Sequence, residues 1–122
     1  MKKRIAINGF GRIGRLCYRA LKGKENVELV AINDLTDTRT LAHLFKYDTA
    51  HRQVPYEVGY GEGFIRVDGI QIPAFAQKDP AALPWKDLGV DIVLECTGIN
   101  LSTETAGAHL TAGAARVILS AP

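Results

Sequence analysis

Three glycines stand at Gly9, Gly11 and Gly14 in the stretch AINGFGRIGR, residues 6–15. At this spacing one glycine permits a tight turn, the next a close backbone approach to an anion, and the third close packing of a helix on a strand. The apolar run Ile5-Ala6-Ile7 precedes the motif, and a helical pattern follows it. That order aims the free N–H groups of a helix N-terminus at a phosphate. With 12 glycines in 122 residues the spacing alone is weak. Its place between strand and helix is what gives it weight. On this reading Gly9 makes the turn, Gly11 faces a pyrophosphate, and Gly14 lets the helix press on the strand.

A second residue sharpens the chemistry. Asp34 follows the last glycine at about the twenty-residue distance at which a dinucleotide site places its acid. It ends the run VELVAIN (27–33), where a carboxylate can accept both hydroxyls of an adenosine ribose. The same charge repels a 2′-phosphate, which favours NAD over NADP. Leu35 and Thr36 bring no cation to offset that repulsion, and Arg39 falls on the next helix. The competing reading is a glycine turn with a solvated acid at a strand end. Thr97, Gly98 and Ser120 lie at the ends of later strands and are further candidates beside a cofactor. Loop chemistry and helix capping explain them nearly as well from spacing alone.

No other constellation carries chemistry. Cys17 and Cys96 are far apart, form no CxxC, and sit in apolar patterns, as structural thiols do. His43 and His109 fall on expected helices and His51 in a loop. None has a partner at metal or triad spacing, so all three read as structural or solvated, and no metal site is expected.

The elements that must position the glycines and the acid follow from periodicity. Strands are expected at 4–8, 27–33, 70–75, 90–98 and 116–120. Helices are expected over 12–23, 38–47 and 102–114, with a short helix or two turns in 79–89. The first helix would place Ile13, Leu16, Cys17, Ala20 and Leu21 on its buried face, with Gly23 as its C-cap. The second carries Leu41, Leu44 and Phe45 along one stripe, after candidate N-caps Thr36 and Asp37. Ser102 would cap the third. Residues 56–76 alternate with period two, and Asp68-Gly69 is a hairpin signal, so an antiparallel hairpin is expected there, its last strand joining the main sheet. Strands alternating with helices imply an α/β, doubly wound (Rossmann-type), mostly parallel sheet with strand order 3-2-1-4-5 and the hairpin as an insertion. Five main-sheet strands against about six in the full dinucleotide fold imply a sheet truncated before its last strand.

The 122 residues make one domain, 1–122, that buries roughly two-thirds of its unfolded surface. Apolar content of 47% and charged content of 23% fit a globular chain. A net charge of +2 and no aromatic-basic interleaving argue against nucleic acid, and no run reaches membrane-spanning length. The basic start runs into too short an apolar stretch for a secretory signal, which with two distant cysteines and no CxxC points to a reducing cytoplasm, where thiols are expected.

The series INGFGRIGR, AINDL, LFKYDTAH, GVDIVLECTG and AGAARVILSAP, in this order, resembles the amino-terminal half of phosphorylating glyceraldehyde-3-phosphate dehydrogenase. The close relative erythrose-4-phosphate dehydrogenase is similar too. The likeness covers essentially the whole chain. It implies that Asn8, Gly9, Phe10, Gly11, Arg12 and Ile13 wrap the pyrophosphate of NAD and that Asp34 holds the adenosine ribose. It also implies that Asn33, Lys78, Thr97 and Gly98 border the adenine and that Ser120 lies toward the nicotinamide. The whole protein of this family is typically a homotetramer that oxidises and phosphorylates an aldehyde through a cysteine nucleophile.

Two positions depart from the family pattern. Asn100 stands where the family has an aromatic residue near the adenine, and Arg52 where a glycine is common. The family's catalytic cysteine stretch and catalytic histidine are absent from these residues. The expectation is therefore an NAD-binding domain without catalysis of its own. The alternative is a stand-alone or engineered nucleotide-binding module. A strand RVILS left as an apolar sheet edge would also favour self-association.

Overall fold

The computed structural model describes residues 3–22, 24–47, 57–97 and 103–119, and for 103–106 the backbone alone. The elements run β1 (Lys3–Asn8), α1 (Arg12–Leu21), β2 (Val27–Asn33), α2 (Thr38–Lys46), β3 (Val58–Gly61), β4 (Phe64–Val67) and β5 (Ile70–Phe75). A single 3-10 turn (Pro80–Ala82), α3 (Trp85–Leu88), β6 (Ile92–Glu95), α4 (Thr103–Thr111) and β7 (Arg116–Leu119) follow. No helix among the described residues is long and apolar enough to cross a membrane.

One seven-stranded sheet takes the order β3-β4-β5-β2-β1-β6-β7. Five strands, β5-β2-β1-β6-β7, are parallel neighbours in the expected 3-2-1-4-5 order. This is a doubly wound, Rossmann-type sheet. Central strands of such a sheet are covered on both faces and read as continuous apolar runs. Ile5, Ala6 and Ile7 on β1 are all buried accordingly.

The core divides into two layers. On one face Ile7 and Ile32 meet Phe10, Tyr18, Leu41, Phe45 and the inward residues of the β3–β5 meander. On the other, Ala6, Ala31 and Val93 meet Leu83, Trp85, Val90 and the end of α4 at Ala112.

The pairing of β1 with β2 contains a register shift between Ile5 and Ala6: Ile5 faces Leu29, whereas Ala6 faces Ala31. Val30 is the extra residue. Leu29 packs on the first layer, Val30 and Ala31 both on the second, and Ile32 on the first again.

The insertion is a three-stranded meander rather than a single hairpin. Both turns use positive φ, at Gly63 (79°) and at Asp68 and Gly69 (51° and 80°). Two successive positive φ values define the tight turn whose twist matches paired strands. The turn at Glu62-Gly63 was not expected, because GYGEGF reads as continued alternation. Strand β5 changes partner along its length: Ile70 to Pro73 pair antiparallel with β4, and Ala74 and Phe75 pair parallel with β2. Proline at the changeover withholds the N–H that neither ladder uses there.

The buried face of α1 differs from the expected one. Gly14, Arg15 and Tyr18 are buried, while Ile13 and Leu16 are 47% and 48% exposed. Gly14 sets this orientation, since it sits against the Gly9 carbonyl and the Ile7 side chain. Arg15 then turns inward to donate to the Phe10 carbonyl at 3.0 Å. Tyr18 stacks on Phe45 with ring centroids 5.3 Å apart. On α2, Leu41, Ala42 and Phe45 are buried and Leu44 is exposed. Asp37 caps α2, accepting from the Thr40 N–H at 2.8 Å. The expected caps Gly23 and Ser102 lie outside the described residues, as do His51, Arg52 and Asn100.

Candidate functional site

Strand β1 ends in a glycine turn that meets the ends of its two neighbours. Gly9 has φ 91°, a conformation open to glycine. A Cβ there would come within 2.8 Å of the Thr97 backbone nitrogen. A Cβ on Gly14 would overlap the Gly9 carbonyl oxygen. Gly11 is different: no protein atom lies within 4 Å of where its Cβ would be. The protein needs glycine at 9 and 14 for its own packing. At position 11 it leaves open space.

That space adjoins the N-terminus of α1. Gly11 is the N-cap residue, it makes no side-chain cap, and no acid stands in the first turn. Unpaired N–H groups and the positive end of the helix dipole are therefore left facing the cleft.

Asp34 connects the acid to the loop. Its Oδ2 accepts the Phe10 N–H at 2.8 Å and its Oδ1 the Thr36 N–H at 2.9 Å. A carboxylate has about four acceptor sites, so one lone pair on each oxygen remains for a ligand hydroxyl. The acid thus ties the glycine turn to β2.

A cleft of ≈ 330 Å³ runs along this edge. Of the expected residues it brings together Asn8, Gly9, Gly11, Asn33, Asp34, Lys78 and Thr97. Leu35, Gln77, Pro80 and Cys96 complete its lining. Four expected residues are not among the lining residues. Phe10 sends its ring into the core against Tyr18 and Phe45 and offers only backbone. Gly14 is buried, and Arg12 and Ile13 are exposed on the first turn of α1. Gly98 and Ser120 fall outside the described residues. A second cleft of ≈ 420 Å³, lined by Arg39, His43, Lys46 and Tyr60 among others, lies between α2 and β3. It has no part of the glycine loop and no strand carboxyl end, so the smaller cleft is the candidate.

Beneath the cleft lies a polar group that sequence reasoning did not find. Glu95, at the end of β6, and His109, on α4, are both fully buried. Glu95 Oε2 accepts from Asn8 Nδ2 and from His109 Nε2, each at 2.7 Å, and Oε1 accepts the Thr97 hydroxyl at 2.7 Å. Burial pushes the Glu95 carboxyl up, but the donors from His109, Asn8 and Thr97 outweigh it and hold it below the usual carboxylate range. The indole of Trp85 donates to His109 Nδ1 at 3.0 Å. Indole is donor only, so Nδ1 carries the lone pair and Nε2 the proton given to Glu95. The one available signal was a glutamate interrupting the apolar run DIVLECTG. His109 does behave as a structural histidine, though a carboxylate-bound one.

Neither cysteine is in a disulfide; Cys96 is buried in the first core layer and borders the cleft, and Cys17 is half-buried. No cluster that could hold a metal ion exists among the described residues.

Comparison with known proteins places this arrangement. Residues 3–103 match the family model for the glyceraldehyde 3-phosphate dehydrogenase NAD binding domain. The glyceraldehyde-3-phosphate dehydrogenase of Thermotoga maritima is 58% identical over 121 residues, 98% of this chain and 36% of that protein. The enzymes of Clostridium acetobutylicum and Mycoplasma pneumoniae are each 53% identical over 119 residues, 36% and 35% of their lengths. The chain spans about a third of the length of these relatives. It belongs to the glyceraldehyde-3-phosphate dehydrogenase family and carries that family's NAD-binding domain.

Proposed function

We propose that residues 1–122 bind NAD in the cleft at the carboxyl edge of the sheet and do not turn over an aldehyde by themselves. The observation that carries the reading is the open space at Gly11 before an uncapped helix N-terminus, with Asp34 in the same cleft. These residues fit the cofactor. The turn from Asn8 to Ile13 receives the pyrophosphate, Phe10, Arg12 and Ile13 through backbone. Asp34 accepts the ribose hydroxyls. Asn33, Lys78 and Thr97, with Gly98, border the adenine, and Ser120 lies toward the nicotinamide. Bound NAD supplies a hydride acceptor; the chain's part is to hold and orient it.

The absence of turnover is supported by the thiols. Neither Cys17 nor Cys96 lies in a stretch like the family's catalytic cysteine motif. In calorimetric titration the chain is expected to bind NAD and not NADP. With glyceraldehyde 3-phosphate and inorganic phosphate it is expected to form no NADH. NADH formation abolished by Cys96→Ser or Cys17→Ser would overturn the second half of the reading.

Self-association through β7 belongs to the same proposal. Among the described residues β7 pairs on one side only, with β6, and Ile118 and Leu119 are 48% and 38% exposed. An apolar edge with unpaired backbone groups invites pairing with a second copy. Light scattering is expected to show dimers at high concentration, and Ile118→Lys to return monomer. A strict monomer in the wild-type chain refutes it. The homotetramer of the whole protein and a cytoplasmic location, with which two cysteines outside any disulfide accord, are carried to this chain as parts of the same reading.

A further inference from the structure

We propose that Glu95 and His109 are positioning residues for NAD, acting from beneath the cleft to fix how Asn8 and Thr97 face it. The inference rests on the cleft being the NAD site.

The hydrogen bonds run one way across three strand ends. Gln77 N–H donates to Asn33 Oδ1 at 2.9 Å, and Asn33 Nδ2 donates to Asn8 Oδ1 at 2.7 Å. Asn8 Nδ2 then donates to Glu95 Oε2. From the other side Trp85 donates to His109 and His109 to the same oxygen. Each amide therefore has a settled orientation, because the series ends on a carboxylate that only accepts. Asn8, Asn33, Gln77 and Thr97 all line the cleft. Glu95, His109 and Trp85 are not among its lining residues and are fully buried. A buried carboxylate held by three side-chain donors is costly unless all are present, and a network of this kind specifies one arrangement. Apolar residues would fill the space under β6 equally well. Only an acceptor-only group holds both Asn8 and the Thr97 hydroxyl in the orientations seen.

Glu95→Gln is nearly the same size but brings an N–H₂. Turned one way, that group faces the Asn8 and His109 donors; turned the other, it makes the Thr97 hydroxyl accept instead and opposes the Thr97 N–H, which gives to Glu95 Oε1 at 3.3 Å. His109→Gln can still donate to Glu95 from the place of Nε2, whereas His109→Leu only fills space.

The experiment is NAD titration of the wild-type chain and these three variants, each checked by a thermal melt and by emission of Trp85, the one tryptophan. Glu95→Gln and His109→Leu are expected to melt cooperatively and bind NAD roughly tenfold more weakly. His109→Gln is expected to stay within about threefold of wild type, at the small end of what one hydrogen bond is worth. Wild-type affinity in Glu95→Gln, or equal affinities in His109→Leu and His109→Gln, overturns the proposal.

Should the variants not fold, ¹⁵N-histidine spectra of the wild-type chain decide. The Nε2-protonated tautomer of His109, with a resonance that moves on NAD saturation, supports the proposal; the other tautomer, or an unmoved resonance, refutes it. A wild-type chain that binds no NAD overturns the reading of the cleft, and the inference falls with it. NAD binding that is indifferent to Glu95 overturns the inference alone.

Discussion

Gly14→Ala is expected to cost the chain about 3 kcal/mol of stability, lowering its melting temperature by on the order of 15 °C. The added Cβ would overlap the Gly9 carbonyl oxygen and press on Ile7 at 3.1 Å. The overlapped atom is backbone and cannot swing away, so α1 must lift from β1. Lifting α1 opens the layer in which Tyr18 stacks on Phe45 and meets Phe10 at a tilt. Gly11→Ala provides the contrast. Its φ of −79° and ψ of −159° are open to alanine, and nothing lies within 4 Å of the new methyl. It is expected to melt with the wild-type chain and to bind NAD about tenfold more weakly, since the methyl occupies the pyrophosphate's approach. Thermal melts and NAD titrations of the two variants test both claims. A stable Gly14→Ala chain would show that the contact is not rigid. A Gly11→Ala chain of full affinity would show that the phosphates do not pass there.

Asp34→Ala is expected to lower NAD affinity roughly a hundredfold. On the proposed reading it loses two charge-assisted hydrogen bonds to the ribose, each worth about 1.5–3 kcal/mol in a buried setting and less at this half-exposed one. The substitution also strands the Phe10 and Thr36 N–H groups, which Asp34 accepts at 2.8 and 2.9 Å. Its melting temperature should therefore fall too, which sequence reading does not anticipate. Asp34→Asn separates the effects. The asparagine can keep one backbone acceptor, and it removes the charge that repels a 2′-phosphate. Its affinities for NAD and NADP should lie much closer together than in the wild-type chain. Calorimetric titration with both dinucleotides decides. An unchanged NAD affinity in Asp34→Ala would remove the acid from the ribose site.

Most of the framework was legible in the sequence because parallel strands buried on both faces announce themselves as apolar runs, as in Ile5 to Ile7. The expected strand order and the convergence of Gly9, Gly11, Asp34 and Thr97 on one cleft followed from that frame. What escaped depends on pairwise geometry. The buried face of α1 was misread because Ile13 and Leu16 outvote Gly14 in a count of apolar residues. In the fold the glycine decides, since it is where the helix can come closest. The first meander turn was missed because Tyr60-Gly61-Glu62-Gly63 continues an alternating pattern. Glu95 and His109 are 14 positions apart, and nothing in the sequence marks that α4 folds back under the end of β6. Phe10 sits within the glycine motif yet belongs to the core, because only its N–H faces Asp34.

The extra residue at Val30 has a consequence for the chain's edge as well as its interior. Were β1 and β2 to run in step from Lys3 and Val27 to their ends, Asn8 would stand opposite Ile32. The shift brings Asn33 there instead. One added residue in mid-strand thus advances the far end of β2 by a notch, delivering an amide to Asn8 and an acid to the Phe10 N–H. The interior accommodates the slip by turning two successive small or branched side chains, Val30 and Ala31, to the same side. Core and rim of this sheet keep different counts, and Val30 is where they are reconciled.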